Sequence, residues 1–460
     1  MLVVRRVRAR VSPREALSRA TRAGLEGLSL LHAAGPMPGY EASYLTVAGA
    51  RRSSSFDPLE DDEPLPSGPE EALSLPRWVG VIPYEATRAV ERGEGLSRDA
   101  RPPALVRSTS FRRAAASARL DDGSVLVAGD DPELVERLSR ALATPPHEAD
   151  PDPAIEVSLD ERGDPPEAHL ARIERARELI RAGDVYQVCL ARRLALEVTS
   201  DAPARRVART LYERLVERAP TALAAFLELD GAYVLSTSPE ILLDAAPRAS
   251  PRAGGPADTG FGALATVPIK GTRPRSGDPD LDRARALELD RDPKERAELA
   301  MIVDVERNDL GRVAEVGTVR VAEPPHVVAR ATVLHRQARV EAVARRDRSR
   351  AQIIASIVPS GSVTGAPKLR AMELIAELEA HRRGLYTGGL GFVSHEGRLV
   401  LSMAIRTAVL VPSPAGLVGE YLTGGGIVLD SDPAREVEET RWKAAQLLAL
   451  TGASRAGQCA

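Results

Sequence analysis

Two pairs of glutamates, Glu295/Glu298 and Glu436/Glu439, each stand three residues apart in segments of helical periodicity, so each pair faces one side of its helix. Lys443 sits one turn beyond Glu439 on the same face. On composition alone a solvated charged face explains each pair. Both pairs, however, adjoin core-forming runs: Glu298 precedes Leu299, Met301, Ile302 and Val303, and Lys443 precedes AAQLLAL. Four carboxylates lining one cleft would repel each other unless a cation sat among them. With no His or Cys nearby, oxygen-only donors suit Mg²⁺ rather than Zn²⁺.

The basic residues carry a second signal. Of 62 Lys+Arg, four are lysines (Lys270, Lys294, Lys368, Lys443) and 58 are arginines. Lysine survives where a compact, titratable amine is needed, or by chance. Lys270 follows Val267-Pro268-Ile269 and precedes Gly271. An apolar setting predicts a desolvated amine with a lowered pKa, hence a nucleophile at neutral pH; the alternative is an exposed loop lysine. Segment 399–411 (LVLSMAIRTAVLV) reads as a strand. Its alternation places Arg406 among Ser402, Ala404 and Ala408, small residues that leave room for a substrate carboxylate. A structural ion pair explains Arg406 equally well. Tyr386, in the Gly-rich strand signal YTGGLGF, either helps bind the same anion or packs as a core aromatic. His335 is an acid/base group or a core-edge histidine.

These residues need elements to position them. Helical periodicity covers 168–182 (ending at Gly183-Asp184), 294–307, 367–381 and 434–450; 231–237 and 399–411 are β-rich. Gly-rich turns are expected at 271–278, 359–368 and 422–432, the second ending at Pro367 before a helix, a place that suits an anion. No GK[ST] occurs, which disfavours a Walker-type triphosphate site. Pro- and acid-rich stretches at 52–71 and 144–167 read as linkers, and 245–265 as a surface insertion. The expected organisation is an N-terminal part, 1–165, and a catalytic part, 166–455. Strands and helices do not strictly alternate, so a doubly wound parallel sheet is not demanded, and an α+β arrangement of sheets with flanking helices fits as well.

Composition narrows the functional classes. A net charge of −3 and 28% charged residues argue against nucleic-acid binding, and no apolar run suggests a membrane span. Cys189 and Cys459 offer no disulfide framework, no secretory signal is evident, and a cytoplasmic location is expected.

The segments GDVYQVCLARR, SPEILL, PIKGTRPR, ERAELAMIVDVERNDLGRV, PSGSVTGAPKLRAMELIAELE, YTGGLGF, AIRTAVL and GGGIVLDSDPAREVEETRWKA, in this order over about 183–444, resemble the chorismate-utilising enzyme family. That family comprises anthranilate synthase component I, aminodeoxychorismate synthase component I, isochorismate synthase and salicylate synthase. In the N-terminal part only VGVIPYEATR (79–88) is similar. The resemblance implies the fold class α/β (α+β), a large sandwich of antiparallel-rich sheets with flanking helices around one cleft. In it Glu298 and Glu439 hold Mg²⁺, supported by Glu295 and Glu436, and the metal grips the ring carboxylate of chorismate. Arg406, Tyr386, Lys443 and amides near Gly425 would bind the enolpyruvyl carboxylate. Thr272 and Thr364 would line the pocket, His335 would sit beside the ring, and Glu240 would be the general acid that expels the ring hydroxyl.

Two positions discriminate among the family's reactions. Water-adding members resemble one another in carrying a lysine base where this chain has Gln187, and a neutral amide cannot deprotonate water. Lys270 resembles the lysine of aminodeoxychorismate synthases, where anthranilate synthases typically have Ala. The implied reaction is amination of chorismate by ammonia to 4-amino-4-deoxychorismate, with anthranilate formation as the alternative. Cys189 departs from the usual Asn, and HRQARV departs from a more apolar pattern. Neither cysteine has a glutaminase setting, so a separate glutamine amidotransferase subunit is the expected partner.

Overall fold

The computed structural model describes residues 2–35, 37–48, 69–86, 104–106, 108–121, 123–144, 151–229, 231–248 and 260–451. Most of 52–71, part of 144–167, the middle of 245–265 and Cys459 lie outside the described residues.

Antiparallel pairing builds the chain into two sheets. The first runs Glu156–Asp160, Gln187–Thr199, Gly416–Ile427, Thr407–Ser413, Ala232–Ser238, Leu223–Leu229, Leu28–His32, Ser43–Ala48, Ser110–Asp121, Ser124–Gly129 and Val3–Val7. The second begins on the N-terminal end of that same Ser110–Asp121 strand. It continues through Pro76–Ile82, Gly389–Ser394, Leu399–Met403, Ile241–Pro247, Phe261–Val267, Val333–Val343 and Arg320–Ala329, with Ile269–Pro274 also paired to Val333–Val343. Both sheets therefore draw strands from the first 130 residues and from the remainder.

Three apolar layers hold the sandwich together. Helices Pro13–Arg22, Pro132–Ala143 and Ala204–Arg218 cover the first sheet through Leu17, Leu138 and Leu211, packed with Leu45, Val127 and Leu196. Helices Pro293–Gly311 and Arg350–Ile357 cover the second through Leu299, Val303 and Ile353, packed with Leu243, Val340 and Leu401. Between the sheets, Val79, Val81 and Leu390 meet Leu227, Val234 and Val409. This is the expected sandwich with flanking helices.

Local expectations need correction at six places. The 144–167 stretch contains strand Glu156–Asp160, because alternating Val157 and Leu159 face the core beside an edge. The ends of the 245–265 stretch are strand, paired as Asp244↔Ala265 and Ala245↔Leu264. The glycines of 422–432 extend strand Gly416–Ile427 rather than turning, and 271–274 belongs to strand Ile269–Pro274. Segment 399–411 is two strands, Leu399–Met403 and Thr407–Ser413, in different sheets. The last helix breaks at Ala444 into Pro433–Lys443 and Ala445–Leu448. Among the described residues no helix is long and apolar enough to cross a membrane.

Candidate active site

The chemistry collects where strands change sheets. Strand Ala232–Ser238 ends in the first sheet, and after Pro239-Glu240 the chain enters the second at Ile241. The reverse crossing, Met403 to Thr407, lies alongside: Met403 N–H donates to the Glu240 carbonyl and Thr237 N–H to the Arg406 carbonyl, at 3.0 and 3.1 Å. A chain that leaves one sheet for another must bend, and here it bends at residues that carry charge. Arg406 takes a left-handed backbone, φ 51°. Strand alternation therefore does not aim it, as the sequence suggested; the crossing does.

Two helix N-termini supply the carboxylates. Asp292 caps Pro293–Gly311 by accepting from Lys294 and Glu295 N–H, and Asp432 caps Pro433–Lys443 by accepting from Arg435 N–H. This repeated Asp-Pro start places Glu295 and Glu436 in first turns, with Glu298 and Glu439 one turn on. Burial, then the adjacent Glu298 charge, pushes Glu295 up; burial and, further down, Glu439 push Glu436 up. The field of Lys294 reaches Glu436 and Glu439, and Lys270 feels both Glu298 and Glu439, so the two faces converge. Two glycines make room for them. A Cβ on Gly271 (φ +76°) would come 2.9 Å from Glu295 Oε2, and one on Gly425 would come 3.1 Å from Glu436 Oε2.

In this arrangement the outer charges are tied to lysines. Lys443 Nζ is 2.6 Å from Glu439 and donates to the Gly424 carbonyl at 2.8 Å, while Lys294 is 3.8 Å from Glu298. Among the described residues no three His, Cys, Asp or Glu side chains stand close enough to share an ion. Mutually repelling, partly desolvated oxygen donors around glycine-cleared space fit a hard divalent cation in chemistry, at positions that Lys443 and Lys294 share.

Lys270 enters from the bulged strand Ile269–Pro274. Its Nζ donates to the Ser362 carbonyl at 3.2 Å, and no carboxylate among the described residues lies in ion-pair distance. The lowered pKa expected from the apolar flank is not found. Burial does pull the amine down, but Cys189, Glu298, Glu240 and Glu439 together push it above its ordinary value. The local sequence showed the apolar neighbours and hid the carboxylates brought in by other elements. Glu240, buried, accepts from Ser362 Oγ at 2.9 Å, and burial raises it to about 7. One residue, Ser362, thus touches the amine with its carbonyl and the acid with its hydroxyl.

His335, 2% exposed, has Nδ1 3.0 Å from Thr272 Oγ1 and an Nε2 with no partner among the described residues. Burial, then the Arg406 charge, lowers it to about 3, so the ring is neutral at neutral pH. Arg406 lines a cavity of about 370 Å³ with His335, Arg330 and Met37. Burial lowers its guanidinium, and no carboxylate offsets that; only Tyr421 acts the other way. Tyr386 lies in the turn before strand Gly389–Ser394, not in the strand, and stacks on the Arg383 guanidinium at 5.7 Å. Thr272 is exposed. Thr364 is fully buried and donates to the Ser360 carbonyl, which removes its hydroxyl from a lining role in this arrangement. Gln187, fully buried, leaves Oε1 unpartnered and approaches Cys189 Sγ at 3.7 Å with Nε2.

Sequence reasoning missed Ser360, Ser362 and Glu306. Glu306 is buried beneath the site and accepts from Ser360 Oγ. Its signal was a glutamate between Val305 and Leu310 on the helix that already carried Glu298. A larger cavity, about 680 Å³, lies between Tyr40, Phe392 and Arg398 and holds none of these groups.

Residues 40–449 match the chorismate binding enzymes. Anthranilate synthase component 1 of Thermus thermophilus is 40% identical over 63% of this chain and 58% of the relative. Anthranilate synthase component 1 1 of Haloarcula marismortui is 34% identical over 84% of this chain and 72% of the relative. The aminodeoxychorismate synthase of Streptomyces griseus is 38% identical over 73% of this chain and 41% of the relative. The chain thus spans about two fifths to three quarters of the length of these curated relatives. The solved anthranilate synthase component I of Streptococcus pneumoniae shares the fold at TM-score 0.68 and 24% identity, covering 91% of this chain and 90% of that one. The menaquinone-specific isochorismate synthase of Escherichia coli does so at TM-score 0.71 and 18% identity, covering 98% and 94%. A sandwich whose sheet crossings present an acid and an unpaired guanidinium, with an amine on the strand Ile269–Pro274, together with a match over most of its length, makes this chain a member of the chorismate binding enzyme family.

Proposed function

We propose that the chain is an aminodeoxychorismate synthase component I, converting chorismate and ammonia to 4-amino-4-deoxychorismate. The observation that carries this reading is the pairing of Lys270 and Glu240 across Ser362, at 3.2 and 2.9 Å. A nucleophilic amine and a carboxyl that keeps its proton near neutral pH are the two groups the replacement of a ring hydroxyl needs. The Lys270 amine bonds to ring C2; the double bond shifts and the C4–O bond breaks; the hydroxyl leaves as water with the Glu240 proton. Ammonia then bonds at C4, the double bond returns, and the C2–N bond to Lys270 breaks, with one ammonium proton passing to base.

Arg406, with its charge uncompensated, binds the enolpyruvyl carboxylate, flanked by Tyr386, Lys443 and the Gly425 backbone. Neutral His335 and Thr272 border the ring. Glu298 and Glu439, supported by Glu295 and Glu436, hold Mg²⁺. Bound there, the metal supplies positive charge for the ring carboxylate and cancels the glutamate field that holds a proton on Lys270. Ammonia comes from solution or from a separate glutamine amidotransferase subunit.

A second reading, anthranilate formation, is favoured by the names of the Thermus and Haloarcula relatives. Product identity separates them. Chorismate, Mg²⁺ and ammonium salt are incubated with the purified protein and the product is identified by mass and fluorescence. Aminodeoxychorismate is expected; anthranilate from the wild type would replace the first reading by the second. Glutamine alone is expected to be inert until an amidotransferase is added.

A further inference from the structure

We infer that Glu306 is a positioning residue that shares a proton with Glu240 through the paired hydroxyls of Ser360 and Ser362, keeping the acid supplied with its proton. This rests on the reading of Glu240 as the general acid.

Four oxygens form an unbroken line. Ser360 Oγ contacts a Glu306 carboxyl oxygen, lies 3.0 Å from Ser362 Oγ, and Ser362 Oγ lies 2.9 Å from Glu240 Oε1. All four side chains are buried. The line has three oxygen–oxygen links, and the two serines bring one hydrogen each. All three links are filled only when one further proton sits on one of the two carboxyls. If Glu306 holds it, every hydroxyl points toward Glu240; if Glu240 holds it, every hydroxyl points toward Glu306. The two states interconvert by passing three hydrogens along the line, with no atom displaced by more than a hydrogen-bond length.

The surroundings favour a proton on this line. Around Glu306, Asp309 on its own helix and Glu240 across the serines are negative, and Lys368 lies nearby. Lys368 is itself held by Asp309 at 3.0 Å and by the Ser356 carbonyl at 2.9 Å, so it is not free to neutralise Glu306. Glu306 Oε2 has no partner among the described residues. Around Glu240 the charged groups are Lys270 and Lys443. Burial, then Asp309, raises Glu306 to about 8. When a turnover starts with the shared proton on Glu306, the line passes it to Glu240, which gives it to the departing hydroxyl. Both carboxyls are then ionised, and the line regains one proton, from the ammonium formed at C4 or from solvent, before the next turnover.

Removing either end or the middle of the line makes different predictions from a structural role. At saturating chorismate and fixed free ammonia, Glu306→Gln leaves Glu240 to titrate alone, so the alkaline limb of kcat moves down by about one pH unit. Ser360→Ala cuts the line and lowers kcat by about tenfold, the lower edge of general-acid effects, with KM for chorismate unchanged. Ser360→Thr, which keeps the hydroxyl, restores it. A Glu306→Gln enzyme with the wild-type pH profile, or KM and kcat lost together in Ser360→Ala, overturns the inference. Infrared titration of the unsubstituted protein needs no substrate and no variant to fold. It is expected to show protonated carboxyl absorption persisting to neutral pH and fading in two steps; absorption gone by mildly acidic pH overturns the inference. Because that measurement is independent of turnover, it separates failure of the relay from failure of the chorismate reading.

Discussion

Two regions of this molecule bury positive charge, and they do so in opposite ways. Beneath the site, Arg383 is 1% exposed. It donates to Glu379 at 2.7 Å and to the carbonyls of Val363 and Cys189 at 2.8 and 3.0 Å, and it stacks on Tyr84 at 4.9 Å. Lys368 is likewise satisfied by Asp309 and Ser356. At the site, Lys270 has one carbonyl, and Arg406 at its sheet crossing has no ion pair among the described residues. A desolvated charge without a partner is costly, so it persists where something from outside completes it. The difference teaches how to tell a scaffold cation from a substrate-binding one: by which donors are already spent.

The sharpest break of that contrast comes from the metal carboxylates. Glu298→Gln or Glu439→Gln is expected to fold normally and lose about 10³-fold or more in turnover, the scale of metal charge stabilisation. Chelation is expected to do the same reversibly, and full activity in excess chelator would end the metal assignment. Next, Lys270→Ala and Lys270→Arg are both expected to stop aminodeoxychorismate formation, since a guanidinium stays protonated. Chorismate binding, read by calorimetry, is expected to survive. Normal product from Lys270→Ala would remove the covalent role.

The arginines test stability against affinity. Arg383→Gln is expected to cost about 3–5 kcal/mol in urea unfolding, because it strands buried Glu379. Arg406→Gln is expected to leave stability within about 0.5 kcal/mol and to raise KM about tenfold or more. If both lost stability alike, the distinction between spent and unspent donors would fail. The smallest effect concerns His335. It stays neutral when folded, down to about pH 3, but takes a proton near 6.5 when unfolded. Unfolded chains then bind more protons as pH falls from 6.5 toward 3, so stability falls with pH across that window. His335→Gln is expected to lessen the acid slope of the melting temperature; an unchanged slope would mean the ring is not held neutral.

The glutamate pairs were legible in the sequence because helical spacing is local: three residues apart is one face wherever the helix packs. An α+β arrangement of sheets with flanking helices was legible from strand and helix periodicities, and the sandwich from the ordered motifs that resemble a known family. Tyr386 and Arg406 were read as strand residues because their neighbours alternate or are glycine-rich, whereas Tyr386 lies in the turn before a strand and Arg406 where the chain crosses between sheets. The serine line to Glu306 left no signal beyond a glutamate on the helix face shared by Ile302, Val303 and Leu310, since its links join residues 54 and 122 positions apart.

By itself the sequence determined which groups exist and which helix faces they share. It also determined the helix starts that present the carboxylates, through two Asp-Pro caps. The tertiary structure alone decided their ionisation. Lys270 was expected to lose its proton readily because its chain neighbours are apolar, and it holds that proton because Cys189, Glu298, Glu240 and Glu439 arrive from four other segments. Burial and charge act through space, over a few ångströms in a medium that screens poorly, and chain order carries no record of which segments meet there.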